Sequence, residues 1–243
     1  NTKHHPVMLN QILSIISPQH GGMFIDCTFG GGGYTKAILK FPGTKVIAID
    51  RDQIAKQHAN KVLKEFPDRF KFFQDKFSNL NKISELNDNP RAIIFDLGLS
   101  SYQIADSQRG FSFKSIGPLN MEMGINVCSV FDAVNKLDKN DLAKIIRILG
   151  EERDSKRIAN EIIKQRFKKP LQNSEELVSI IKSVKKNYKK YKKNPATKTF
   201  QALRIFVNDE LNELKKALNK SSQLLAKDGK LIVVSFQSLE DRI

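Results

Sequence analysis

Through the first hundred residues, short apolar runs alternate with stretches of helical periodicity. The runs at 23–28, 46–50, 71–75 and 92–96 are rich in Val, Ile and Phe, and most end in a polar residue. They predict strands, with helices at 34–39 and 53–66 between them. Strands alternating with helices make a parallel sheet covered on both faces. Val46-Ile47-Ala48-Ile49 and Ile93-Ile94-Phe95 are apolar at every position, as strands buried on both faces are.

From about Ser107 the strand-like runs stop and helical patterns take over. Asp138 is placed to cap a helix carrying Leu142, Ile145, Ile146 and Leu149, closed by Gly150. Ala159, Ile162 and Ile163 belong to a second helix. Ser174 is placed to cap a third, in which Leu177, Ile180, Ile181 and Val184 fall at i, i+3, i+4 and i+7. Phe200, Leu203, Val207, Leu211, Leu214 and Leu218 then stripe one long helix, and Asp228-Gly229 turns the chain into a last strand at 231–236. The expected architecture is α/β, with residues 1–105 and 197–243 forming one domain and 106–196 an all-helical insert.

Length and charge sharpen this picture. A chain of 243 residues buries a real core in one or two domains. Its 41 Lys and Arg against 26 Asp and Glu leave a formal charge of +15, which favours a polyanionic partner through counterion release. A general bias toward Lys and Asn is the plainer explanation, and the location of the charge decides between them. The tract 182–198 holds eight lysines and no acid, with Tyr188 and Tyr191 interleaved. Lys185, Lys186, Lys189 and Lys190 fit phosphates there and the two tyrosines fit bases; a solvated connector fits equally well.

Cys27 and Cys128 give neither a disulfide framework nor zinc spacing. His4, His5, His20 and His58 lack companions at ligand spacing, so no metal is expected. Residues 1–8 carry no apolar leader core and no stretch is long enough to span a bilayer, which makes the cytosol the expected compartment.

The candidate chemistry lies at the strand ends. The first strand runs into Asp26-Cys27-Thr28-Phe29-Gly30-Gly31-Gly32-Gly33, where glycines let a ligand approach the backbone closely. The second ends at Asp50, placed to accept hydrogen bonds from two ribose hydroxyls. A dinucleotide fingerprint starting at Gly30 would need glycine at position 35, which is Thr. This disfavours a nicotinamide enzyme but not S-adenosylmethionine, which has no pyrophosphate. The fourth strand ends in Asp96-Leu97-Gly98-Leu99-Ser100-Ser101, and Asp96 is its one ionisable group. It is placed either to accept a hydrogen bond from an attacking amine or, as a strand-end carboxylate, to cap the turn or hold the cofactor.

With these residues in view, the chain resembles the bacterial 16S rRNA cytosine-N4 methyltransferases and their mitochondrial relatives. The resemblance runs in order through His5-Pro6-Val7-Met8, the glycine loop, Ala48-Ile49-Asp50-Arg51-Asp52 and Asp96-Leu97-Gly98-Leu99-Ser100-Ser101 with Gln103. It continues through Arg109-Gly110-Phe111-Ser112-Phe113, Gly117-Pro118-Leu119, Gly150-Glu151-Glu152-Arg153, Thr199-Phe200-Gln201-Ala202-Leu203-Arg204-Ile205 and Ser238-Leu239-Glu240-Asp241-Arg242.

The resemblance implies a Rossmann-like S-adenosylmethionine methyltransferase domain and a helical insert that helps to hold RNA. It implies a substrate cytidine in the decoding region of small-subunit rRNA, and so the small ribosomal subunit as partner. It carries the cofactor role onto Gly32, Gly33, Tyr34, Asp50, Phe77, Asp96 and Gln103, of which Phe77 and Gln103 rest on it alone. The chain departs from the family pattern at Tyr34, where His is usual. It departs again in Asn120-Met121-Glu122-Met123, where the family has Asp-Met-Arg-Met, and at Gln237, where it has His. These departures leave open a relative that keeps the cofactor pocket and binds RNA without turnover.

Overall fold

The computed structural model describes residues 6–83, 89–113, 116–185 and 194–243. Five strands occur among them: β1 (Gly22–Asp26), β2 (Thr44–Asp50), β3 (Phe70–Gln74), β4 (Ala92–Asp96) and β5 (Lys230–Val234). The earlier helices are α1 (Leu9–Ile16), α2 (Gly33–Leu39), α3 (Gln53–Glu65), α4 (Ser101–Ala105), α5 (Val130–Lys136) and α6 (Lys139–Leu149). The later ones are α7 (Ser155–Arg166), α8 (Ser174–Val184), α9 (Thr197–Asn208), α10 (Glu210–Leu224) and α11 (Ser238–Asp241). They form two compact units, Asn1–Ser100 with Leu211–Ile243, and Ser101–Glu210.

The first unit is a Rossmann-like α/β layer structure. Its strands are all parallel, in the order β3-β2-β1-β4-β5. Successive side chains of a strand point to opposite faces, and the core divides accordingly. Phe24, Val46, Ala48, Phe70, Ala92 and Ile94 pack on one face with Ile38, Leu39, Ala59 and Val62 of α2 and α3. Ile25, Ile49, Ile93 and Phe95 pack on the other with Leu214 and Ala217 of α10. The chain reverses its direction of progress across the sheet between β1 and β4, which opens a crevice at their carboxyl ends.

The second unit is helical. Asp138 caps α6, accepting from the N–H groups of Asn140 and Asp141, and Gly150 follows its last turn. Ser129 and Asp132 close a reciprocal capping box at the start of α5. Leu142 and Ile146 of α6, Ile158 and Ile162 of α7, Leu177 and Ile181 of α8, and Leu203 of α9 are buried.

Three details differ from the sequence expectation. Asn173, not Ser174, caps α8, its side chain accepting from Glu176 N–H. The long helix expected through 200–218 is two helices, because Asp209 takes a left-handed conformation (φ 52°) between α9 and α10. Arg204 clamps the corner with two hydrogen bonds to the Glu210 carboxylate, at 2.8 and 2.9 Å. The helical unit therefore spans Ser101–Glu210 rather than 106–196, since α9 packs against α5 and α6. Among the described residues no helix is long and apolar enough to cross a membrane.

Candidate cofactor crevice

The parallel register brings Asp26, Asp50 and Asp96 to one edge of the sheet. Asp26 lies opposite Ala48 and Ile94, Asp50 opposite Gln74 and Asp96 opposite Val234. Asp26 is fully buried. Its carboxylate accepts from Thr35 Oγ1 at 2.7 Å and from the Thr28 N–H at 3.3 Å, tying the end of β1 to the first turn of α2. Thr28 in turn accepts from the Asp96 N–H at 2.7 Å, which joins the ends of β1 and β4. From sequence, Asp26, Thr28 and Thr35 stand only as parts of the loop motif with no role of their own; an acid at a strand end beside a glycine loop is the signal available.

Asp50 closes the loop from the other side. Its Oδ2 accepts from Gly30 N–H at 2.7 Å and its Oδ1 from Asp52 N–H at 2.8 Å. Gly32 caps α2 at φ 78°, and a Cβ there would sit 2.8 Å from the Phe29 ring. A Cβ on Gly33 would come within 2.2 Å of Pro6 Cγ. Side chains at these two positions would displace the loop or the segment against it.

Tyr34 is buried, and its hydroxyl donates to the Val7 carbonyl at 2.5 Å. Burial raises the phenol pKa well above its ordinary value, and the charges of Asp96 and Asp26 raise it further. Its contacts in this structure are thus to the N-terminal segment and to Asp96. Phe77 follows β3 and stands edge-on to Phe95, with ring centroids 5.5 Å apart. Gln103 lies on α4, in the helical unit.

The segment after β5 lies beside the loop that follows β4. Leu97 N–H bonds to Val234 O, and a Cβ on Gly98 would stand 3.7 Å from the Phe236 ring. Gln237 donates to Glu240 Oε1 at 2.8 Å, while Glu240 Oε2 accepts from Phe236 N–H at 3.1 Å. The residue that departs from the family pattern is thus held by the motif that follows it.

The crevice is electrostatically acidic. The Asp26 carboxyl is pushed up to about 6, chiefly by burial, with repulsion from Asp50 and Asp96 adding to it. Burial pushes Asp50 up to about 6 as well, against the hydrogen bonds from Asp52 and Gly30. Three carboxylates crowded at one edge oppose a pyrophosphate and favour a cation. A sulfonium centre with ribose hydroxyls to donate fits this donor set.

A family profile for the MraW methylase family matches residues 1–243. The chain belongs to the MraW methylase family. Relatives of this methylase agree. It is 45% identical over 243 residues to Ribosomal RNA small subunit methyltransferase H of Wolbachia sp. subsp. Drosophila simulans (strain wRi), covering 99% of this chain and 83% of that protein. It is 44% identical to the proteins of the same name from Ehrlichia chaffeensis (strain Arkansas) and Anaplasma phagocytophilum (strain HZ). Each alignment takes in 99% of this chain, and 82% and 83% of those proteins respectively.

The departure at Asn120 and Glu122 of the methylase lies in a loop whose backbone is held on several sides. Arg109 donates to Glu122 O at 2.7 Å, and Met121 N–H bonds to Arg109 O at 2.9 Å. Buried Asn208 accepts from Met123 N–H at 2.8 Å and donates to Met121 O at 2.7 Å. The changes alter side chains on a loop whose backbone is fixed from behind.

The structure corrects one expected RNA contact. Lys185 is 6% exposed, and its ammonium donates to Glu152 Oε2 and to Pro195 O. It is a buried structural cation and does not face phosphates. Lys186, Tyr188, Lys189, Lys190 and Tyr191 lie outside the described residues.

Proposed function

We propose that this methylase transfers the methyl group of S-adenosylmethionine to the exocyclic N4 of a cytidine in the decoding region of small-subunit rRNA. It acts in the cytosol on the small ribosomal subunit, and the helical unit helps to hold the RNA. The observation that carries the reading is the acidic, glycine-lined crevice at the β1/β4 switch point, in a chain of this family.

Asp50 accepts from the ribose hydroxyls, Gly32 and Gly33 give the close backbone approach, and Phe77 completes the cofactor contacts within the α/β unit. When bound, the cofactor supplies an electrophilic methyl on a cationic sulfur. Cytosine N4 is a weak nucleophile, since its lone pair is delocalised into the ring. The site must therefore hold it dry and aligned, with the base turned out of any stack. The Asp96 carboxylate accepts the hydrogen bond of the N4 amine, and the proton that N4 loses as it gains the methyl passes to water. Tyr34, whose hydroxyl donates to the Val7 carbonyl, stands beside that carboxylate and, by resemblance to the family, belongs to the cofactor site.

Two measurements test the reading. Mass spectrometry of small-subunit rRNA from cells with and without the protein is expected to lose one N4-methylcytidine. Purified protein is expected to methylate immature small subunits. Tight subunit binding without any transfer would leave an RNA-binding relative in its place.

A further inference from the structure

The helical unit carries a basic groove between α6 and α7 that nothing in the crevice chemistry explains. It has a volume of about 1100 Å³ and is lined by Lys139, Lys144, Arg147, Arg153, Lys156 and Arg157, with no carboxylate in its lining among the described residues. Its origin is legible in the helix geometry. Asn140, Lys144 and Arg147 fall at i, i+4 and i+7 of α6, opposite the buried Leu142 and Ile146. At about 1.5 Å per residue they run roughly 10 Å along one face. Lys156 and Asn160 repeat the i, i+4 spacing on α7.

Two acids close by in sequence are engaged elsewhere. Asp138 caps α6, and Asp154 pairs with Arg157 at 2.9 Å, while the other Arg157 arm bonds to Val184 O. Among the described residues, Lys139, Lys144, Arg147, Arg153 and Lys156 have no carboxylate within ion-pair distance. Five cations thus face one concave surface with no carboxylate paired to them among the described residues.

We infer that this groove is a binding surface for the phosphodiester backbone of RNA. A protein partner would need apolar or aromatic anchors, and among the described residues the lining offers Ala143 alone. A single phosphate would leave most of the groove empty. A charged polymer satisfies several of the cations at once, with Arg147 and Arg153 able to grip phosphate oxygens in pairs. Contacts of this kind position an RNA without reading its bases. The inference rests on the proposed rRNA methylation for the identity of the RNA, and on the groove alone for the contact.

The test uses the full chain with K139Q/K144Q/R147Q/R153Q, all at exposed positions. Binding of a fluorescent single-stranded RNA and of purified small subunits is measured across a series of KCl concentrations. The log–log salt slope is expected to fall by about 2–3, at about 0.7 per lost phosphate contact. Cofactor affinity and melting temperature are expected to stay at wild-type values. A control, K45Q/K56Q/K61Q/K64Q, removes the same charge from exposed positions of the α/β unit. An equal loss in the control would overturn the groove in favour of net charge, and an unchanged slope in the groove variant would overturn it outright. Loss on subunits with naked RNA unaffected would make the partner a ribosomal protein, which also overturns it. Wild-type protein that binds RNA through the groove but methylates no rRNA would instead sink the proposed reaction and leave the groove standing.

Discussion

The Lys185 ammonium and the Glu152 carboxylate meet at 2.5 Å inside the helical unit, with both side chains almost wholly excluded from water. Pro195 O accepts a second Lys185 hydrogen bond, and Glu152 Oε1 accepts from the Asp154 N–H at 3.0 Å. The pair links the turn before α7 to the residue after α8. Two buried charges of opposite sign tolerate joint replacement far better than the loss of one.

Lys185→Met is therefore expected to destabilise the protein by about 3–5 kcal/mol, because it strands a buried carboxylate. Lys185→Met with Glu152→Leu is expected to recover most of that loss. Denaturant titrations of the two variants check this. A single variant as stable as the wild type would mean that the ammonium reaches water.

Asp50→Ala is expected to abolish detectable S-adenosylmethionine binding by calorimetry while the protein stays folded. It removes two charge-assisted hydrogen bonds to the ribose, worth about 1.5–3 kcal/mol each. It also releases the Gly30 and Asp52 N–H groups that now shape the loop. Unchanged affinity would place the cofactor elsewhere.

Cofactor binding is expected to tighten as pH rises through about 6. Asp50 carries its proton below about that pH in the ligand-free protein, and the ribose needs the charged form. With one proton to remove, affinity falls by roughly tenfold per pH unit below the transition. Calorimetry at pH 5 and pH 7.5 tests this, and a flat profile would exclude Asp50 as the acceptor. Stability runs the other way. Asp26 has its folded pKa raised from 3.8 to about 6, so its contribution is complete below about pH 4 and is lost as pH rises through about 6. Asp26→Asn is expected to gain thermal stability on the wild type across that window.

Asp96→Asn separates holding from chemistry. It preserves shape and one acceptor oxygen but removes the charge. If the carboxylate receives the N4 hydrogen bond, kcat is expected to drop well beyond any change in cofactor Kd. Equal losses in both would restrict Asp96 to holding the cofactor.

The sheet was legible because its strands advertise themselves. Val46-Ile47-Ala48-Ile49 and Ile93-Ile94-Phe95 are apolar at every position, and each leads to an acid at the crevice edge. What stayed hidden depends on partners distant in sequence or on a single backbone angle. The apolar stripe from Phe200 to Leu218 continues across the α9–α10 corner, so periodicity alone does not register the left-handed Asp209. Lys185 looks like any lysine of its tract, since the residue that buries it stands 33 positions earlier. The α6–α7 groove joins cations from two helices and the turn between them, and only the packing of the two helices brings these onto one surface.

The late return of β5 has a consequence for synthesis. β4 ends at Asp96 and its partner strand begins at Lys230, with 133 residues between them. At about 5–20 residues per second, roughly 7–27 s pass before the partner strand is made. The helical unit ends at Glu210 and is fully synthesised within that interval. The α/β unit meanwhile presents the outer edge of β4, with its unpaired backbone groups and its Ile93-Ile94-Phe95 core, as a template for any neighbouring strand. Aggregation of nascent chains is therefore expected to be worst for products that end between Asp96 and Lys230, and to ease once Val234 has emerged.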